Sequence, residues 1–403
     1  MEQKRMRLGI IGTSGRAWEL IRETIADVPT IEIAVLCDLV PAKMDKTMEI
    51  LREKEYPFTP WTTTNYHEML DKNKVDAVLI TTCWNEHVEI AIDCMKAGIP
   101  SGFEVGGASS IDQCWELVKT YEKTKTPCFM LENCCFGRYE LGVLRMIREG
   151  LFGEIAHCEG GYQHFLGKGF AEGISDPDTY HQRCFHNLHR NAELYPTHEI
   201  GPIAKYLNIN RGNRFLTLSA FASKAVSLNT LAGKSYGDGT QKFMEGDFIT
   251  TMIKCANGET IMLAHDTTLP RPYSRGNVVH GTKGIWMEIN KSIHIEGQSP
   301  DHKWEDITPY LEKYEHPMWK HFQESGVHGS HDGMDYLEME AFAYCVMNNQ
   351  PFPIDIYDSA AWMAVTVLSE DSIALGSQPV PFPDFTNGKW IHREPEAAHP
   401  YSI

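Results

Sequence analysis

Short apolar runs alternate with amphipathic stretches through the first third of the chain. Residues 7–12 (RLGIIG), 31–38 (IEIAVLCD), 75–82 (VDAVLITT), 100–105 (PSGFEV) and 127–133 (PCFMLEN) are compact, apolar and bounded by turn formers, and read as buried strands. Between them, residues 17–27, 42–53, 86–97 and 111–123 repeat apolar positions at the spacing of one helix face. Strand and helix in repetition imply a parallel sheet with helices on both faces.

The pattern changes from about residue 153. Residues 214–226, 247–268 and 277–290 read as longer strands, with tight-turn signals at Ala256-Asn257-Gly258-Glu259 and Gly281-Thr282-Lys283-Gly284. These predict a second, open and mostly antiparallel sheet. Residues 167–190 are polar and aromatic without a period, and predict a loop over a site. Helices are expected at about 333–348 and 357–376, followed by an extended, proline-rich tail. At Tyr195-Pro196-Thr197-His198, Pro196 pushes Tyr195 out of the helical region, and Thr197 is a candidate N-cap for a helix through Ile200 to Tyr206. Tyr195 and His198 then lie at a helix mouth, where polar ligands are often held.

The 403 residues suffice for two domains, and 42% hydrophobic with 23% charged content is that of a globular protein. The net charge of −17 argues against nucleic acid and anionic membrane as partners, because phosphates would be repelled. The eleven cysteines form no disulfide framework and no C-x-x-C pair, which predicts reduced thiols. The basic stub Met1–Arg7 runs into a strand with no apolar leader, and no run is long enough to span a bilayer, so a cytoplasmic location is expected.

The first strand opens into Gly12-Thr13-Ser14-Gly15-Arg16-Ala17, a variant of the G-x-G-x-x-G/A dinucleotide turn with Ser14 at the middle position. The second strand ends at Asp38, an acid placed to accept ribose hydroxyls of NAD and to repel the 2′-phosphate of NADP. Thr82, Trp84, Asn85 and His87 follow the third strand, Glu104 ends the fourth, and Glu132-Asn133 ends the fifth. All fall at the carboxyl edge, where doubly wound sheets bind their ligands. The expected fold is an α/β Rossmann domain over residues 1–135, then an α+β domain with an open, mostly antiparallel sheet over residues 136–403. The helix at 357–376 and the tail are expected to pack back across the Rossmann domain.

The stretch TTCWNEHVEIAIDCMKAGIP…EV resembles the Gfo/Idh/MocA superfamily. MLENCCFGRYE, GGYQHF, LYPTHEIGPIAKYLNINRGNRF, RPYSRGN…GTKG and HDGMDYLEMEAF resemble its branch of NAD-dependent glycosidases, typified by α-N-acetylgalactosaminidases, over nearly the whole chain. Sugar dehydrogenases of the superfamily carry Glu-Lys-Pro after the fourth strand; here it is Glu104-Val105-Gly106, and valine cannot transfer a proton. The glycosidase branch also lacks the lysine but usually keeps the proline. Residues 167–190 do not follow the branch closely.

The resemblance implies tightly bound, recycled NAD. The sugar is oxidised at C3, deprotonated at C2, loses its C1 substituent, takes up water and is reduced again. This needs acids and bases rather than the paired carboxylates of ordinary glycosidases. Tyr162 and His164 alternate and share one face, and phenol and imidazole can be tuned to either side of neutral pH. Tyr162 is expected as the base at C2, His164 as its support, and His198 as the group handling a hydroxyl or leaving-group proton. Glu132, Arg183, Tyr195, His198 and Tyr273 are carried over from the branch as sugar contacts. The competing readings are a glycoside 3-dehydrogenase releasing a 3-keto sugar and a sugar/NAD-binding protein without turnover. The resemblance also implies a homo-oligomer, dimer or tetramer. His181, His186, His189, His328 and His331 have no regular ligand spacing, and no metal is expected.

Overall fold

The computed structural model describes residues 4–175, 182–235, 242–393 and 398–403. Its contacts define two compact units: Met1–Leu141 with Glu315–Ala360 and Pro395–Ile403, and Gly142–Tyr314 with Ala361–Glu394. His181 and part of the tail lie outside the described residues.

In the first unit, β1 (Met6–Ile11), α1 (Arg16–Glu23), β2 (Ile31–Cys37), α2 (Pro41–Glu53), β3 (Trp61–Thr63), β4 (Ala77–Ile80), α3 (Trp84–Lys96), β5 (Ser101–Glu104), α4 (Ile111–Thr124) and β6 (Cys128–Leu131) alternate. The strands form one parallel sheet in the order β3-β2-β1-β4-β5-β6. The chain enters at the centre, runs to one edge and returns across β1 to β4, so the topological switch lies between those two strands. All four residues of β4 and of β6 are buried, as strands covered on both faces require. The apolar pattern located these strands to within two or three residues, except β3, whose Trp61 and Thr62 are exposed.

The chain then forms α5 (Arg138–Arg148), β7 (Ile155–Gln163), α6 (Gly167–Ser175), α7 (Gln182–His189), α8 (Thr197–Tyr206), β8 (Phe215–Ala222), α9 (Ser227–Ser235), β9 (Ile249–Cys255) and β10 (Thr260–Asp266). It continues through β11 (Val278–Gly281), β12 (Gly284–Met287), β13 (Ser292–Ile295), β14 (Glu305–Asp306), α10 (Thr308–Lys313), α11 (Pro317–Ser325), α12 (Met334–Asn348), α13 (Ile356–Ala374) and β15 (Val380–Pro381). The second sheet runs β14-β13-β12-β11-β7-β10-β9-β8-β15; β7 pairs parallel with β10 and every other pairing is antiparallel. The 256–259 and 281–284 turns join β9 to β10 and β11 to β12.

Two local expectations change. The described part of 167–190 is mostly helical, in α6 and α7, because Phe170 and Cys184 bury against Leu228, Ala232 and Phe243 in a small core separate from the sheet. Thr197 is the first residue of α8 rather than its cap; Pro196, already at helical angles (φ −76°, ψ −17°), takes the N-cap position.

Candidate active site

In the first unit the turn after β1 is shaped by Gly12, whose φ of +87° and approach to Thr81 and Thr82 leave no room for a side chain: a Cβ would lie 2.8 Å from their backbone. Asp38, buried at the tip of β2, accepts hydrogen bonds from the backbone N–H of Thr13 at 2.8 Å and of Val40 at 2.9 Å. One carboxylate thus joins the glycine turn to the end of β2. Gly15, at φ +53° with open space around its α-carbon, is the N-cap of α1. Helix start, close-packed glycine and acid together fit a dinucleotide: the positive end of the α1 dipole faces the turn and favours phosphate, and Asp38 has further lone pairs for ribose hydroxyls.

The other edge residues are tied to one another. Arg16 pairs with Glu104 at 3.0 Å and Asp335 at 2.7 Å, while Asn133 donates to the same Asp335 oxygen at 2.7 Å. Burial pushes the Asp335 carboxyl up, but hydrogen bonding from His331 and the charge of Arg16 outweigh it and hold it far below the usual carboxylate range. Glu338, buried on α12, is pushed well up by burial and by the neighbouring Asp335, Glu104 and Glu132. His87 is buried and bonds the Thr82 carbonyl through Nε2 at 3.0 Å; burial lowers it to about 4, so it is a neutral tie between strand ends. Asn85 accepts from Ser109 at 3.3 Å. Gly106, where the glycosidase branch usually has proline, has φ +86°, and the Trp84 ring lies where a side chain would be; proline cannot reach that φ. Glu132 is fully buried in this unit, with Oε1 accepting from the Cys134 N–H at 3.1 Å.

The second unit gathers the remaining candidates. Tyr162, near the end of β7, places its phenol oxygen 3.0 Å from Nδ1 of His164, and Arg183 donates to the same oxygen at 3.2 Å. The Tyr162 ring lies 4.4 Å from Tyr195, 5.5 Å from His198 and 6.1 Å from Tyr273, between centroids. Arg183, on α7, sits 4.0 Å over the Tyr195 ring. Burial, then Arg183 and His198, lower His164, which is therefore neutral at pH 7 and able to accept a hydrogen bond.

Local sequence explains the arrangement. Gly160 leaves space for Glu199, the neighbour of His198: a Cβ there would meet the Glu199 side chain at 2.7 Å. Glu199 Oε2 in turn accepts from Asn277 at 2.7 Å, anchoring the start of α8. The Tyr273 loop is held by paired backbone bonds between Gln163 and Ser274, at 3.1 and 3.0 Å. Tyr162, His164, Arg183, Tyr195, His198 and Tyr273 are thus brought together, although they span more than a hundred positions of the chain.

Sequence reasoning passed over His265, Glu193 and Glu245. His265 lies between the two carboxylates, 3.2 Å from Glu193 and 3.0 Å from Glu245, all three buried. The signal available was His265-Asp266 closing an apolar strand. It also passed over Asp335 as the hub of the nucleotide edge, although HDGMDYLEMEAF contains it.

Residues 6–131 match the oxidoreductase family with an NAD-binding Rossmann fold, and residues 136–392 match the C-terminal domain of glycosyl hydrolase 109. A glycosyl hydrolase family 109 protein of Stenotrophomonas maltophilia is 41% identical, the match covering 97% of this chain and 91% of that one. An alpha-N-acetylgalactosaminidase of Tannerella forsythia is 40% identical, over 98% of this chain and 89% of its own. Among solved structures, levoglucosan dehydrogenase in complex with NADH superposes with a TM-score of 0.71 over 94% of this chain and all of its own, at 16% identity, a likeness of fold. No helix among the described residues is long and apolar enough to cross a membrane. The chain belongs to glycosyl hydrolase family 109, glycosidases that use NAD on an oxidoreductase's nucleotide-binding fold.

Proposed function

We propose that the enzyme cleaves a glycoside of a sugar such as N-acetylgalactosamine through transient oxidation at C3, deprotonation at C2, and elimination and water addition at C1. The observation that carries this reading is the Tyr162 phenol oxygen, bracketed by Arg183 at 3.2 Å and neutral His164 at 3.0 Å. When bound, NAD would supply the hydride acceptor, and then the donor, for C3, with the O3 proton released to solvent on oxidation and regained on reduction. The Gly12–Arg16 turn and Asp38 hold it, with Thr82, Trp84, Asn85, Glu104 and Asn133 framing the edge and His87 behind them.

A ketone at C3 acidifies the neighbouring C2–H, so a phenolate suffices as base. Arg183 stabilises the negative oxygen, and neutral His164 relays the phenol proton to solvent. Tyr162 removes the C2 proton; the electron pair forms the C1–C2 double bond as the leaving group departs from C1 with a proton from His198. Water then adds at C1, its proton passing back to His198, and Tyr162 returns a proton to C2. Tyr195, Arg183 and Tyr273 bind the sugar. The two-carboxylate alternative finds poor support in this unit, since Glu193 and Glu245 are buried in ion pairs with His265. Net dehydrogenation lacks the lysine of the oxidoreductases, whose place is taken by Val105, 4% exposed. A homo-oligomer accompanies this reading on the family resemblance.

Nitrophenyl glycosides of both anomers, assayed with nicotinamide absorbance in parallel, test it. Nitrophenol release without lasting NADH is the expected result. A lasting rise in NADH with the glycosidic bond intact would make the protein a dehydrogenase, and sugar binding without either reaction would make it a binding protein.

A further inference from the structure

His265 lies opposite Tyr162 in the parallel register of β10 and β7, and the two rings stack at 6.4 Å and 25°. Its Nδ1 is 3.2 Å from Glu193 and its Nε2 3.0 Å from Glu245, and none of the three residues is more than 3% exposed. Burial favours the neutral ring, but the two carboxylates outweigh it and raise His265 to about 10. A buried ionic triad is a poor source of stability compared with apolar packing, and its best-attested use is to fix one arrangement of the chain.

Each carboxylate belongs to a segment that leads to the active cluster. Glu193 stands two positions before Tyr195 and five before His198, and its N–H donates to Ser369 at 2.8 Å. Beside Glu245, the backbone N–H groups of Met244 and Glu245 donate to the Asn187 carbonyl at 3.2 and 3.1 Å, and the Gly246 N–H donates to the Asn191 side chain at 3.0 Å. Asn187 is on α7, one turn beyond Arg183. A single imidazolium therefore joins the strand beside Tyr162, the entry to α8 and the strap that holds α7.

We infer that His265 is a positioning residue of the active cluster: as shared partner of Glu193 and Glu245, it holds Tyr195, His198 and Arg183 around Tyr162. The inference rests on the reading of Tyr162 as the base. His265 acts through the backbone of these segments, and its removal lets them shift against β7. A displacement of about 1 Å in such groups costs on the order of a hundredfold in rate.

The test uses the full-length, NAD-bound protein with H265Q and E245Q. Each variant is assayed for kcat and KM on the glycoside hydrolysed by the parent, for nucleotide content, and for backbone amide exchange. The expected result is a fall in kcat of about a hundredfold, unchanged NAD content, and faster exchange confined to residues 182–198. Should H265Q fail to fold, E245Q carries the test, because it removes one charge while keeping the side chain's shape. Parental kcat with parental exchange in 182–198, or exchange raised evenly through the whole second sheet, would overturn the inference. If the parent hydrolyses no glycoside, the proposed function fails, and the exchange pattern still decides whether His265 clamps these segments.

Discussion

Tyr162 and His164 meet through their polar atoms at 3.0 Å although only Gln163 separates them, because the chain stays extended past the end of β7, with the His164 N–H donating to the Asp266 carbonyl at 2.8 Å. The alternation that puts both on one face is a property of extended backbone. In the proposed chemistry the pair becomes a base through a third residue, Arg183, which donates to the phenol oxygen from α7.

Tyr162→Phe removes the oxygen shared by Arg183 and His164 while keeping the ring that packs on Tyr195. It should lower kcat at least about a hundredfold with NAD content unchanged. Steady-state kinetics and nucleotide analysis of the denatured protein check it; near-parental turnover would remove Tyr162 from the chemistry.

Asp38→Ala should weaken NAD binding and relax discrimination against NADP. The carboxylate that would meet the ribose also holds the Thr13 and Val40 N–H groups, so both the contact and the turn are lost. Titration with each nucleotide measures the ratio of affinities, and an unchanged ratio would show that Asp38 serves only the turn.

Much of the fold was legible in the sequence for a simple reason. Strands such as Ala77–Ile80 are buried on both faces, and helices such as Ile111–Thr124 on one, so their apolar patterns are nearly unambiguous. The helices within 167–190 were not legible: their apolar residues cover a small local core, and glycines at 167, 169 and 173 dilute the periodicity. Thr197 looked like a cap because caps are judged by residue type, whereas Pro196 already holds helical angles. For the site, GGYQHF and YPTH were readable as chemistry, but their convergence depends on Gly160 admitting Glu199 and on the His265 clamp, both long-range contacts.

Gly106→Ala places a side chain at φ +86° against the Trp84 ring, with Cβ 2.8 Å from its nearest carbon. A left-handed conformation costs an ordinary residue about 1–2 kcal/mol, and the contact adds to that. The variant should unfold at a lower temperature and retain less NAD. A parental melting curve would mean that the loop takes another path.

The stability of the second unit should fall as pH rises from neutral toward 10. His265 is raised to about 10 from about 6.5 in the unfolded chain, so its stabilisation is complete below about 6.5 and is lost as pH climbs through its folded value. The groups facing it are Glu193, Glu245 and the Tyr162 ring, with Asp247 acting on Glu245. Melting temperature against pH should be steeper for the parent than for H265Q over this range. Parallel curves would show that another group titrates there.

The central claim, hydrolysis by way of a C2 carbanion, is tested most directly by running the reaction in D₂O and locating deuterium in the released sugar by NMR and mass spectrometry. Proton removal and return at C2 predict deuterium at C2, the original hydrogen at C3, and no NADH accumulating beside the product. Released sugar without deuterium at C2 would contradict the claim, and an intact glycoside oxidised at C3, with NADH formed in equal amount, would contradict hydrolysis itself.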